Sequence, residues 1–238
     1  MRPKPHRLVR PKFQRLRTES SVTIALGMRC IDGVLVAADR QITKEGGLKY
    51  QQDKILIGGT IVSYFPMDFA LAYAGSPDLA KNLVGKIAAA TVKACDGGVF
   101  TPTLVQDGIE DVLTTKDTKG LETLIIFGGK SISPFMLRTR ETRVVFGKME
   151  YIGAGDSSVL RYLADLIKFP LPLDRAKILG AYLISAANRY IDGCGFGPDV
   201  AFIGTDGEVK RVDKAEIDSW ATEFAEIEKA LSNTLSLL

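Results

Sequence analysis

The chain contains a single histidine, His6, and this limits the chemistry that its 238 residues can perform. His6 lies in a proline-rich basic segment, so a Ser-His-Asp or Cys-His arrangement in a folded site is nearly excluded. Histidine-based metal sites are unexpected for the same reason. The phosphate-binding pattern GxxxxGK[ST] is absent, and the glycines at 193, 195 and 197 follow a predicted helix rather than a strand. We therefore expect no metal or organic cofactor.

A hydrolase without histidine needs another base, and a threonine at a chain terminus can supply one. Its α-amine has a pKa of about 8 in peptides, so it is partly neutral at pH 7 and can accept the hydroxyl proton. The segment before such a threonine has to be removed. A lysine ammonium held by a carboxylate would further favour the ionised hydroxyl.

Residues 1–17 carry seven lysines and arginines and no acidic residue, whereas the remainder holds 24 basic and 28 acidic residues. Three prolines among them predict a disordered arm. The arm lacks the apolar core of a secretory signal. A removable pro-segment, a nucleic-acid-binding arm and a transit peptide remain as interpretations, and the terminal-threonine chemistry favours the first. We predict an arm or propeptide at 1–22 and one folded domain at 23–238.

Hydrophobic patterning predicts a strand-rich first third and mixed elements after it. Ser76 is the predicted N-cap of a helix that starts at Pro77, and Asp156 and Asp174 are predicted to open later helices. Gly58-Gly59 is predicted to be a turn within a β-meander. The predicted strands are 22–29, 34–38, 54–57, 61–65, 69–73, 123–127, 134–139, 143–146, 149–152, 200–203 and 208–212. The predicted helices are 76–90, 104–113, 156–168, 174–190 and one beginning near 214.

This order of elements predicts an α+β fold with two antiparallel sheets and helices on both outer faces, a four-layer αββα sandwich. Strands covered on one side by a sheet and on the other by a helix should be apolar throughout. The runs VLVAA at 34–38, FALAY at 69–73 and TLIIF at 123–127 meet that expectation.

Residues 23–43, TIALGMRCIDGVLVAADRQIT, resemble the opening of proteasome β subunits and of their bacterial HslV relatives. Later motifs of the same family follow in the same order: Lys54 before an apolar strand, Ala74-Gly75 before a helix, Gly153-Ala154-Gly155, and Asp192 with DVAFI at 199–203. The resemblance covers nearly all of residues 23–212. It implies an N-terminal-nucleophile hydrolase fold and a self-processing threonine-type peptidase.

The resemblance also implies a role for each matching residue. Thr23 would supply the Oγ nucleophile and, once freed, the amine base. Lys54 would lower the pKa of the hydroxyl, and Asp39 would hold Lys54 charged and oriented. The backbone N–H of Gly75 would stabilise the oxyanion. Asp192 would orient groups around the amine.

Several positions favour an alternative, a non-catalytic ring or scaffold subunit that keeps its N-terminal arm. Val22 stands where the active family usually has glycine, and Ala154 and Gly195 replace two helper serines. A start at Ser20 or Ser21 is a further alternative for the nucleophile. A nucleic-acid-associated role would depend on the arm alone, because the body carries no recognisable nucleic-acid-binding motif.

Composition and cysteine count suggest the compartment. Apolar residues make up 46% of the chain, yet no run of about 18 uncharged apolar residues predicts a membrane span. Three cysteines without a disulfide-framework or zinc spacing predict reduced thiols and a cytoplasmic location. The resemblance implies a peptide or unfolded-protein substrate, a homo-oligomeric ring and an ATPase unfoldase as a candidate partner.

Overall fold

The structure is a computed structural model, and it describes residues 23–43, 47–62, 65–95, 100–113, 118–130, 132–153 and 170–235. The predicted arm at 1–22 and the predicted helix opened by Asp156 lie outside these ranges. Within them, no helix is both long and apolar enough to cross a bilayer.

Two five-stranded antiparallel sheets form the centre of the domain. The first sheet has, in spatial order, β10 (Met149–Gly153), β1 (Ile24–Arg29), β2 (Val34–Asp39), β11 (Pro198–Ile203) and β12 (Val209–Arg211). The second has β5 (Ile55–Val62), β6 (Phe65–Ala74), β7 (Glu122–Gly129), β8 (Ile132–Arg140) and β9 (Arg143–Phe146). A separate ribbon joins β3 (Gln41–Thr43) to β4 (Lys49–Gln51).

Five described helices cover the sheets: α1 (Pro77–Ala94), α2 (Pro102–Val112), α3 (Leu173–Tyr190), α4 (Lys214–Ser219) and α5 (Ala221–Leu235). One apolar cluster lies between α3 and the first sheet, and a second lies between α1, α2 and the second sheet. A third cluster, rich in alanine and isoleucine, fills the space between the two sheets. The predicted α+β sandwich with αββα layers is therefore confirmed.

The predicted turn at Gly58-Gly59 is wrong, because β5 continues through both glycines. Its residues pair in register with β6, and a Cβ on Gly58 would overlap the ring of Phe69 on that neighbouring strand. Cross-strand packing of Phe69 thus accounts for a glycine that locally resembled a turn residue.

The predicted β-meander is also wrong in its connectivity. The hairpins β1–β2 and β5–β6 belong to different sheets, and residues 41–51, which had no predicted strand, supply the small ribbon between them. The chain therefore crosses from one sheet to the other between Asp39 and Ile55, and this crossing carries the candidate site.

Helix starts follow local chemistry closely. Ser76 caps α1 by accepting a hydrogen bond from the backbone N–H of Leu79, with Pro77 in the first turn, as predicted. Asp174 lies in the first turn of α3 rather than at its cap, which is Pro172. The last predicted helix is two helices, α4 and α5, separated at Trp220.

Two side chains from α2 form hydrogen bonds with the outer edge of the edge strand β9. Glu110 Oε1 accepts a hydrogen bond from the backbone N–H of Val144 at 2.9 Å, and Gln106 Nε2 donates to the Val144 carbonyl at 2.8 Å. These are the outward-facing groups that would otherwise pair with another strand.

Candidate active site

The centre of the candidate site is an ion pair between Asp39 and Lys54. Asp39 ends β2 and Lys54 immediately precedes β5, so each sheet contributes one partner. Lys54 Nζ lies 2.8 Å from Asp39 Oδ1 and 3.0 Å from Asp39 Oδ2. Both side chains are fully buried, with an exposed fraction of 0%. Burial lowers the pKa of Lys54, and the charge and hydrogen bonds of Asp39 oppose that effect without cancelling it.

Three backbone N–H groups complete the surroundings of the Asp39 carboxylate. Ile24 donates to Oδ1 at 3.0 Å, and Gln41 and Gly195 donate to Oδ2 at 3.0 and 3.3 Å. Together with the ammonium of Lys54, these donors hold the carboxylate in one orientation. Asp39 therefore connects the start of β1, the start of β3 and the loop after α3.

Thr23 lies directly before β1, and its peptide bond to Ile24 is the one that donates to Asp39. The residue is buried in the full-length chain, with an exposed fraction of 1%. Its carbonyl oxygen lies against Gly153 at the end of β10, which has a φ of +65°. A Cβ on Gly153 would overlap that oxygen, so glycine is needed there for the backbone of Thr23 to approach.

Gly75 lies near the same point, at the end of β6. The Cβ of the preceding Ala74 would lie 3.0 Å from a Cβ built on Gly153, the glycine against Thr23. Gly75 has a φ of +125°, and a side chain there would overlap the carbonyl oxygen of Gly120. Its position thus requires glycine on two counts, backbone conformation and space.

Asp192 is not buried beside the Asp39–Lys54 ion pair. Asp192 lies in the loop after α3, and its side chain is exposed. Cys194, two residues later, is buried within electrostatic reach of Asp39 and Lys54. Burial, and secondarily the Asp39 charge, raise the pKa of the Cys194 thiol to about 12. The thiol therefore stays protonated and is a poor nucleophile at neutral pH.

Gln41 and Gly195 form a contact that the sequence did not predict. The Gln41 side chain is buried, and a Cβ on Gly195 would overlap its Oε1. The carboxamide thus occupies the space that a side chain at 195 would need. No sequence signal identifies backbone donors such as Gly195 N–H, although Gly195 stands where the resembled family has a serine.

The site is built from a carboxylate, an ammonium and backbone amides. Among the described residues, no three His, Cys, Asp or Glu side chains gather in a way that could hold a metal ion. The arrangement holds the lysine side chain away from solvent and fixes the peptide at Thr23. Both features would suit the control of a proton at a nearby hydroxyl.

No family model matches the sequence, and no curated protein matches it significantly. Among solved structures, the fold is similar to that of an Anbu (Gly-1) mutant from Hyphomicrobium sp. strain MC1. The TM-score is 0.67 at 15% sequence identity, and the alignment covers 90% of this chain and 95% of the other. At this identity the likeness shows the fold alone.

Proposed function

We propose that this protein is a self-processing threonine-type peptidase that hydrolyses amide bonds with Thr23 as its N-terminal nucleophile. The observation that carries the proposal is the buried Asp39–Lys54 pair, which is hydrogen-bonded to the Thr23–Ile24 peptide through Asp39 Oδ1. A fully buried ammonium beside a prospective terminal threonine provides the charge that this chemistry needs.

In the proposed mechanism, removal of residues 1–22 frees the α-amine of Thr23, which takes the proton from its own Oγ. Lys54 stabilises the developing alkoxide, and Asp39 keeps the ammonium charged and in place. Oγ attacks the substrate carbonyl, the Gly75 N–H stabilises the oxyanion, and the protonated amine delivers its proton to the leaving amine. Water then cleaves the resulting ester. Asp192 is proposed to orient groups around the amine from the loop after α3.

The proposed assembly is a homo-oligomeric ring in the cytoplasm, acting on peptides or unfolded protein. The resemblance of residues 23–43 to proteasome β subunits supports the ring, and an ATPase unfoldase is the proposed partner. Light scattering of the purified protein would measure the number of subunits. A monomer at all working concentrations would contradict this part of the proposal.

A second candidate function is a non-catalytic ring or scaffold subunit that retains its arm. Val22 favours it, because the resembled active family usually has glycine before the nucleophilic threonine. The replacement of two helper serines by Ala154 and Gly195 points the same way.

The intact mass of purified wild-type protein, beside Thr23→Ala and Thr23→Ser variants, separates the two functions. Autoprocessing predicts a wild-type chain that starts at Thr23, a slower but complete conversion of Thr23→Ser, and an unprocessed Thr23→Ala. Circular dichroism checks that the wild type and both variants fold. A folded wild type that keeps all 238 residues would support the scaffold function instead.

A further inference from the structure

Directly beside the Asp39–Lys54 pair lies a second group of charges, the Asp199 cluster, defined as Arg40, Asp53, Asp199 and Arg211. Two of its members are chain neighbours of the pair, since Arg40 follows Asp39 and Asp53 precedes Lys54. The proposed mechanism uses none of these four residues. They connect the end of β2 and the segment before β5 to strands β11 and β12.

Arg211, the last residue of β12, contacts the residue before Lys54 and the residue after it in the chain. Its Nη1 donates to Asp53 Oδ2 at 3.1 Å, and its Nη2 donates to the carbonyl oxygen of Ile55. One guanidinium therefore holds the residue before Lys54 and the residue after it. The rigid fork of arginine suits this double contact because two separate nitrogens each meet one acceptor, whereas a lysine ammonium offers a single nitrogen on a flexible stem.

Asp199 forms ion pairs with both arginines, and neither of its carboxylate oxygens has a hydrogen-bond partner among the described residues. Its side chain is 1% exposed, with Oδ1 3.3 Å from Arg40 Nη2 and Oδ2 3.7 Å from Arg211 Nη1. Burial raises the pKa of Asp199, and the two arginines counteract that shift only in part. Because burial removes the hydration of these charges, their pairing contributes little net stability.

We propose that Arg211, anchored by Asp199, is a positioning residue that holds the Lys54 ammonium against Asp39. Arg40, which directly follows Asp39, pairs with Asp199. Arg211 pairs with Asp199 as well and bonds to both chain neighbours of Lys54. The cluster thus fixes the two backbone segments whose separation sets the distance between the ammonium and the carboxylate. The expected loss of peptide hydrolysis rests on the proposed function, whereas the expected change in the titration of Lys54 does not.

The decisive variant is Arg211→Lys, which keeps the positive charge and removes the fork. Arg211→Met removes both, and Arg189→Met is the control because it deletes an ion pair with Glu228 between α3 and α5. Each is made in the full chain with lysine labelled with carbon-13 at Cε. The Lys54 signal is assigned from its loss in Lys54→Met, and its titration is followed by NMR.

We expect the titration of Lys54 to move to higher pH in Arg211→Lys and Arg211→Met, as water reaches the ammonium, and to stay unchanged in Arg189→Met. We also expect kcat for peptide hydrolysis to fall about tenfold in Arg211→Lys, with KM changed less than twofold. A wild-type Lys54 titration in Arg211→Lys would overturn the proposal. If wild-type protein hydrolyses nothing, the proposed function fails, and the titration still decides the role of Arg211.

Discussion

Lys54 Nζ contacts both carboxylate oxygens of Asp39, at 2.8 and 3.0 Å, with neither residue exposed to solvent. Breaking such a pair leaves one uncompensated buried charge. We expect Lys54→Met to lower the free energy of unfolding by about 3–5 kcal/mol. The double variant Asp39→Asn/Lys54→Met should recover part of the loss, as measured by urea denaturation. Equal stability of the single variant and wild type would show that the pair is not buried as described.

The lowered pKa of Lys54 predicts how stability depends on pH. Burial places the pKa in the folded protein below the ordinary value of 10.5, so between the two the unfolded chain binds more protons. The free energy of unfolding of wild type, relative to Asp39→Asn/Lys54→Met, should therefore rise as pH rises through that interval. Paired denaturation curves at several alkaline pH values measure this difference. A falling difference would mean that Asp39 dominates and raises the pKa.

Two glycines with positive φ should differ in their tolerance of alanine. Gly75 has a φ of +125° and faces the Gly120 carbonyl oxygen, whereas Gly197 has a φ of +78° with nothing within 4 Å of a built Cβ. Gly197→Ala should cost only backbone strain, about 1–2 kcal/mol. Gly75→Ala adds overlap with a backbone atom, for a total of about 3 kcal/mol. Thermal unfolding of both variants tests the order, which equal costs would contradict.

The α2 side chains that bond to the outer edge of β9 should also keep molecules from pairing through that edge. Replacing both Gln106 and Glu110 by alanine leaves the outward N–H and C=O of Val144 without their side-chain partners. Val145 and Phe146, each 48% exposed, would then flank an open strand edge. We expect a loss of about 1–3 kcal/mol in stability and concentration-dependent aggregation. Asp107→Ala on the exposed face of the same helix is the control, and light scattering is the measurement.

The sequence predicted the layers because apolar runs and helix caps are local signals. The order of motifs that resemble a known family also led us to expect Asp39 beside Lys54, and the structure places these two side chains in contact. The sequence could not predict that Gly195 N–H and Gln41 N–H would meet on one carboxylate, since backbone donors have no residue-type signature. The turn at Gly58 failed for a related reason, because the Phe69 ring that requires glycine lies on another strand.

The pairing of β2 with β11 has a consequence for the timing of biosynthesis. Asp39 faces Pro198 across these strands, and Gly195 reaches the same carboxylate across 156 residues of chain. A nascent chain on the ribosome cannot complete this environment until Gly195 has been synthesised. Any reaction that depends on the finished carboxylate is therefore delayed until the loop after α3 has reached Asp39.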